Sequence, residues 1–165
     1  MSIVLYRVDE RLIHGQVVVG WGSALHPDEI VVVDDELAES SWEQELYSMG
    51  LPSELTTTFE HVSEARDHLG SWRSSQKRII VLTRDVGTMR RLADQGVMTG
   101  EEVIIGGIHY ANGREPILPY VYLSETEMAD MDALAQAGVQ VSARDLPGAR
   151  KVALKEMLKG RTSEE

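Results

Sequence analysis

Short apolar runs alternate along this chain with longer amphipathic stretches, and this alternation restricts the fold more than any other feature. Several runs are apolar at consecutive positions, as in residues 30–33, so they suit strands that are buried on both faces. We therefore predict an α/β fold with one mostly parallel β-sheet that is flanked by helices on both faces. The predicted strands are 3–8, 29–33, 55–59, 78–82, 102–105, 120–123 and 139–142.

Helical periodicity fills the intervals between these strands. Residues 36–49 place Leu37, Trp42, Leu46 and Met49 near one face, before Gly50 and Pro52. Comparable patterns predict further helices at 86–95, 125–137 and 149–159, and an apolar helix that begins at 17–21. Trp21 and Trp42 are interpreted as core residues, whereas Trp72 is interpreted as part of a packed loop or as a partner contact.

Composition sets limits on the number of domains and on the class of function. A chain of 165 residues, 42% of them hydrophobic, suits one domain, which we place at 1–160 with a frayed tail at 161–165. A net charge of −11 argues against nucleic-acid binding and against an anionic membrane surface. The chain has no cysteine, which excludes disulfides and thiolate chemistry.

No segment of the sequence predicts export or membrane insertion. Arg7 and Asp9 come too early for a signal peptide, and the most apolar stretch, 12–25, is interrupted by polar residues and glycines. We expect a cytoplasmic protein that reaches a membrane only through a partner.

Polar side chains follow several of the predicted strands at the point where each strand ends. In an open parallel sheet the carboxyl ends of the strands form the ligand-binding crevice. Four of these ends are therefore expected to meet at one cleft. The residues at these ends are Arg7, Asp9, Glu10, Arg11 and His14, then Asp34 and Asp35, then Arg84 and Asp85, then His109 with the two glycines before it, Gly106 and Gly107.

The first of these ends carries a pattern that suits phosphoryl transfer. His14 precedes an apolar helix, where free backbone N–H groups and the helix dipole favour an anion and a neutral imidazole. Arg11 supplies a planar cation that pairs with phosphoryl oxygens, and Asp9 is placed to hold Arg11 or to orient the imidazole. Gly15 and Gln16 contribute backbone N–H groups and allow close approach of the phosphoryl group.

Other interpretations of these residues remain open at this point. A histidine between a strand and a helix is often a cap or a surface residue, and His109 is either a second cleft residue or a structural hydrogen-bonding group. Arg84 is a candidate second phosphate contact, while Asp35 and Asp85 suit helix caps. His14, His109 and Asp34 together suggest a metal hydrolase, although no local metal-binding pair supports a metal site.

The segment from Arg7 to Val17, RVDERLIHGQV, closely resembles a known active-site signature. It is the signature of the IIB components of the mannose/fructose/sorbose family of the bacterial phosphoenolpyruvate-dependent phosphotransferase system. Glu10 stands where many members have aspartate. The turn at 106–110 has fewer asparagines and glycines than is usual in the family. Further resemblance is found at 32–36, 42–46, 106–109, 138–141 and Pro147.

This resemblance implies a function and a set of partners. It implies that His14 accepts a phosphoryl group on Nδ1 from the phosphohistidine of a IIA protein, with Arg11 and Asp9 in the site. It also implies that the group passes to a sugar imported by IIC and IID membrane subunits, so the protein is a phosphohistidine–sugar phosphotransferase component without a cofactor or metal. Homodimers are common in the family. A regulatory phospho-acceptor that moves no sugar would have the same sequence features.

Overall fold

Seven strands form one sheet in which β1 lies between β4 and β5. In the computed structural model, which describes residues 2–159, the strand order is β3-β2-β4-β1-β5-β8-β9. All neighbouring strands pair in parallel except β8 and β9, which are antiparallel. The strands of this sheet are β1 (Ile3–Val8), β2 (Glu29–Val33), β3 (Thr56–Glu60), β4 (Ile79–Thr83), β5 (Glu102–Ile105), β8 (Gln140–Ala143) and β9 (Val152–Ala153).

The remaining two strands form a separate antiparallel pair. They are β6 (Glu115–Leu118) and β7 (Val121–Leu123), joined by a tight turn. The sequence predicted a strand at 120–123, which corresponds to β7, but it did not predict the hairpin partner, because Glu115 and Pro116 interrupt the apolar pattern of β6.

Helices cover both faces of the large sheet, as predicted. A π-helical segment, Gln16–Trp21, leads into α1, and two 3₁₀ turns occupy Leu37–Glu39 and Asp94–Gly96. The α-helices are α1 (Gly22–Leu25), α2 (Ser41–Ser48), α3 (Val62–Ser74), α4 (Val86–Leu92), α5 (Glu125–Gln136) and α6 (Leu154–Leu158).

Two hydrophobic clusters lie on opposite faces of the sheet. The larger packs α3, α4 and α5 against strand residues such as Val8, Val81 and Ile105. The smaller packs Leu12, Val17 and Trp21 against strand residues of the other face. Alternate residues of β2 and β4 enter alternate clusters, which explains why these strands are apolar at consecutive positions.

Several details differ from the sequence-based predictions. Trp42 was predicted to be a core residue, but it is 65% exposed, and Leu46 and Met49 of the same predicted apolar face are exposed as well. Helix α3 was not predicted, because just three of its side chains, Val62, Ala65 and Leu69, are buried. The final helix is shorter than predicted because residues 152–153 pair with β8 as a strand.

Two further predictions concern Trp72 and the helix caps. Trp72 lies in α3 and packs against the larger cluster, so the loop interpretation is wrong. Asp85 accepts a hydrogen bond from the backbone N–H of Thr88 and caps α4, as predicted. Asp34, and not Asp35, accepts from the N–H groups of the turn at residues 36–37, whereas Asp35 accepts from the N–H of Val62 at the start of α3.

The predicted tail, residues 161–165, lies outside the described residues, as do residues 1 and 160. Among residues 2–159, no helix is both long and apolar enough to cross a membrane.

Candidate functional site

The site lies at the carboxyl end of β1, where the chain turns sharply before the first helical segment. The backbone N–H of Asp9 donates to Thr83 at the end of β4, and that of Glu10 donates to Gly107 beyond β5. These bonds extend the pairing of β1 by two residues and bring the polar ends of three strands together. Three of the four strand ends that were predicted to converge, those of β1, β4 and β5, therefore meet here.

The turn itself contains a residue in an unusual backbone conformation. Leu12 has a φ of 54°, in the left-handed region that a leucine rarely adopts, and its N–H donates to the carbonyl of Asp9 at 3.0 Å. The side chain of Leu12 is fully buried in the smaller cluster. Burial of Leu12 therefore anchors a strained turn that leaves His14 at the surface, and strain of this kind concentrates at functional sites.

Asp9 is the centre of the hydrogen-bond network, and its carboxylate is fully buried. Its Oδ2 lies 3.2 Å from His14 Nε2 and 3.3 Å from Arg7 Nη2, and it accepts from the N–H of Gly107. Its Oδ1 accepts from the backbone N–H of Arg11 and lies 3.7 Å from Arg11 Nε. Asp9 therefore lies near both groups that the sequence analysis paired with it, the side chain of Arg11 and the imidazole of His14.

The surroundings of Asp9 favour its ionised form. Burial opposes ionisation, but contact with His14, the N–H of Arg11 and the charge of Arg7 outweigh burial and hold the pKa of Asp9 below its ordinary value. An ionised carboxylate faces the imidazole over the whole neutral range.

The two ring nitrogens of His14 have different surroundings. Nδ1 accepts a hydrogen bond from the backbone N–H of Gln16 at 3.3 Å, whereas Nε2 faces Asp9. Nε2 is buried and makes no hydrogen bond of regular geometry with the described residues, so its contact with Asp9 is electrostatic. These neighbours place the ring proton on Nε2 and the lone pair on Nδ1. The His14 side chain is 15% exposed, so a reacting group can reach the ring only through a small opening.

Arg11 and Gln16 are joined beside the histidine. Nη2 of Arg11 donates to Oε1 of Gln16 at 2.9 Å, and the Arg11 side chain is partly exposed. A guanidinium in this position retains donors that can reach an anion next to the imidazole. Gly15 is exposed, and a Cβ placed on it would meet no heavy atom within 4 Å.

The other two predicted phosphate contacts are held by carboxylates. Arg84 lies at the same sheet edge, but its Nε donates to Asp34 at 2.8 Å. His109 contacts Glu10 Oε2 through both its backbone N–H, at 3.0 Å, and its ring Nδ1, at 3.1 Å. The structure thus brings Asp9, Arg11, His14, Gly15 and Gln16 together and favours the structural interpretation of His109.

Two arginines of this region were given no role by the sequence analysis: Arg7 was placed at the first strand end without one, and Arg114 was not considered. Arg7 is fully buried beneath the site, where it donates to the carbonyls of Arg144 and Asp145 and lies 5.1 Å from the ring centre of Trp21. A charged residue inside the apolar strand IVLYRV was the signal that could have identified it. Arg114 contacts Glu10 and also donates to Glu127, and nothing local in its sequence indicated this.

The metal interpretation receives no support from the arrangement of side chains. Among residues 2–159, no three His, Asp or Glu side chains are grouped as metal ligands would be. Asp34 is engaged by Arg84 and by the backbone of the following turn, and His109 by Glu10.

Fold and site together define an α/β protein that presents an imidazole, a buried carboxylate and an arginine at the carboxyl edge of a parallel sheet. The profile of the family described as "PTS system sorbose subfamily IIB component" matches residues 3–165. The chain belongs to this family, the IIB components of the sugar phosphotransferase system, which are phosphotransferases of sugar uptake.

Individual relatives agree with this assignment. N-acetylgalactosamine-specific phosphotransferase enzyme IIB component 1 of Escherichia coli K12 is 33% identical over 153 residues, which cover 91% of this chain and 94% of the relative. The fructose-specific EIIB component of Bacillus subtilis 168 is 29% identical over 147 residues, with 89% and 90% covered. The crystal structure of an N-acetylgalactosamine IIB component from Streptococcus pyogenes superposes with a TM-score of 0.83 at 26% identity, covering 93% and 96% of the two chains.

Proposed function

We propose that this chain carries a phosphoryl group on Nδ1 of His14 between a IIA phosphohistidine and a sugar that IIC and IID membrane subunits import. The observation that carries the proposal is the position of His14, with Nε2 directed at the buried Asp9 and Nδ1 bonded to the loop backbone. An imidazole held in this tautomer has its nucleophilic lone pair on Nδ1.

In the first half-reaction, His14 Nδ1 attacks the phosphorus as the bond between phosphorus and the donor nitrogen breaks. The ring then carries phosphate on Nδ1 and a proton on Nε2, so it has a positive charge that the carboxylate of Asp9, 3.2 Å away, compensates. Arg11 and the amide of Gln16 lie where they can bind the equatorial oxygens, which spread negative charge during transfer.

In the second half-reaction, a sugar hydroxyl oxygen attacks the phosphorus and the bond to Nδ1 breaks, which returns the lone pair to His14. The hydroxyl proton leaves to solvent or to a base of the membrane subunit. The cation of Arg11 supplies the charge compensation near the phosphoryl group in both steps. A cytoplasmic location beside the membrane subunits, as expected from the sequence, belongs to this proposal.

The test is phosphorylation of the purified protein with phosphoenolpyruvate, enzyme I, HPr and a cognate IIA protein, followed by intact-mass analysis. We expect one acid-labile phosphate in the wild type and none in His14→Ala. His68→Gln, which changes an exposed histidine of α3, is the matched control and should be labelled like the wild type. An unlabelled wild type beside fully charged IIA would refute the carrier role.

A regulatory phospho-acceptor remains the second candidate, because the same site accepts a phosphoryl group in either case. Membrane vesicles that contain IIC and IID separate the two functions. Loss of phosphate from His14 to sugar in their presence supports transport, whereas a phosphate that persists supports regulation.

A further inference from the structure

An apolar groove begins at the phosphoryl-transfer site and runs between two helical elements. It has a volume of about 560 Å³ and lies between the segment Gln16–Trp21 and helix α2 with the residues that follow it. We call it the His14 groove. Its lining residues used in the argument are His14, Gly15, Val19, Trp42, Leu46 and Met49.

The walls of the His14 groove expose large apolar side chains to solvent. Trp42 is 65% exposed and Met49 is 73% exposed, and Val19 and Leu46 are exposed with them. Isolated exposed apolar residues are common, but a contiguous apolar group of this kind usually marks a binding surface. The face of α2 that the sequence pattern assigned to the core is therefore left free for another molecule.

The chemistry of the lining argues against a sugar as the occupant. A pyranose needs several hydrogen-bonding groups, whereas the groove walls are mainly aliphatic and aromatic side chains with Glu43 as their acidic group. Apolar side chains of a protein would fit these walls. Tryptophan and methionine are residue types enriched at such interfaces.

The size of the surface argues against a stable second copy of this chain. The groove is lined by 12 residues, which is about half of the roughly 20–30 residues that each partner contributes to a stable interface. Contacts of that size suit complexes that form and dissociate rapidly, as a phosphoryl relay requires.

The position of the groove selects a phosphoryl partner, because His14 and Gly15 are part of its lining. A protein that fills the groove therefore covers the imidazole. A histidine side chain of the donor protein extends only a few ångströms beyond the donor's surface, and the side chain of His14 is only 15% exposed. The donor's surface must therefore contact the residues around His14. A sugar acceptor adds the length of its ring between the membrane subunit and Nδ1, so that partner need not approach as closely.

We propose that the His14 groove is the docking site for an apolar surface of the phosphohistidine-bearing donor protein, with Trp42 and Met49 as its main anchors. This inference rests on the proposed function. It adds that different residues recognise the donor and carry out the reaction. The groove binds the donor protein, and the residues around Asp9 and His14 transfer the phosphoryl group.

The experiment measures the rate of His14 phosphorylation against the concentration of phosphorylated IIA protein for Trp42→Ala, Met49→Ala and the double variant. Both side chains are exposed, so folding should be unaffected. We expect each single variant to raise KM for the donor about tenfold, as an interface anchor does, while the rate at saturating donor stays within about twofold. Tyr110→Ala, an exposed aromatic outside the groove, is the control and should leave KM unchanged.

Each other outcome overturns the inference in a recognisable way. An unchanged donor KM with a labelled His14 removes the docking role while the carrier role stands. An unchanged donor KM with slower sugar phosphorylation by IIC and IID vesicles assigns the groove to the membrane subunits. A change in sedimentation of the Trp42 variant assigns it to a dimer of this chain. If the wild type takes no phosphate at all, the proposed function fails and this inference fails with it.

Discussion

A single buried carboxylate organises the charges of the site. Asp9 lies between the guanidinium of Arg7, which is fully buried, and the imidazole of His14, which reaches the surface. A buried arginine without a counter-charge is strongly unfavourable, so Asp9 stabilises the fold and orients the imidazole at the same time. Stability and function are therefore expected to respond together to a change at this residue.

Asp9→Asn should make the stability of the protein less dependent on pH. The pKa of Asp9 is lower in the folded protein than the value of about 3.9 for an unfolded aspartate, so its carboxylate stabilises the fold above that pH. The contribution is lost as pH falls through the folded-state pKa. We expect Asp9→Asn to be about 3 kcal/mol less stable at neutral pH, because it leaves Arg7 unpaired, and the difference should shrink below about pH 4.

Urea unfolding of both proteins at several pH values measures this difference. Asp132→Asn, at a position in α5 where the side chain is exposed, is the matched control and should be close to wild type throughout. A stability difference that stays constant into acid would show that the charge of Asp9 is not what stabilises the fold.

The residues of the turn were predictable from the sequence, but their backbone geometry was not. The order Asp9, Arg11, His14, Gly15 and Gln16 between a strand and an apolar helix indicated an anion site. The left-handed conformation of Leu12 could not be predicted, because leucine disfavours this conformation locally. Burial of the Leu12 side chain in the folded protein compensates for that cost. The contact between Glu10 and Arg114 could not be predicted either, because Arg114 lies in a loop that is distant in sequence.

At the scale of elements, the ends of β1 and β5 are joined by a close contact between the side chain of Arg7 and the backbone of Gly106. Gly106 follows β5 at the point where the side chain of Arg7 crosses from β1. A Cβ on Gly106 would lie 2.5 Å from Cζ and 2.8 Å from Nε of Arg7. Arg7 is fully buried and bonded to two carbonyls, so it has no free space into which it could move.

Gly106→Ala should therefore destabilise the protein by about 1–3 kcal/mol, the usual cost of forcing an extra methyl group into a packed interior. Thermal unfolding gives the measurement. Gly70→Ala is the control: it lies inside α3, a Cβ there would meet nothing within 4 Å, and alanine should stabilise the helix by about 0.5–1 kcal/mol. Similar melting temperatures for the two variants would contradict the close approach at Arg7.

The elements that sequence patterns located best were the central strands, because burial on both faces leaves a long apolar run. Predicted bounds of β1, β2 and β5 agree with the structure at every residue. Helix α2 shows the opposite case: its apolar face suggested burial, yet Trp42 and Leu46 face solvent. Periodicity shows that a face is apolar, but it does not distinguish the core of the same chain from the surface of a partner.

At the scale of the whole molecule, the sheet belongs to both hydrophobic clusters. Tyr6 and Val8 of β1 enter the larger cluster, and Leu5 enters the smaller. Loss of either cluster therefore exposes one face of the same strands. Such a molecule should unfold as one cooperative unit.

Tryptophan fluorescence can follow each face separately. Trp21 is buried in the smaller cluster and Trp72 packs against the larger, while the exposed Trp42 can be replaced. In a Trp42→Phe background, Trp72→Phe leaves Trp21 as the probe of one face, and Trp21→Phe leaves Trp72 as the probe of the other. Within each variant we expect the urea midpoint from fluorescence to equal the midpoint from far-ultraviolet circular dichroism, even if the two variants differ in stability. Midpoints that separate within one variant would mean that the two faces unfold independently and that the shared sheet does not couple them.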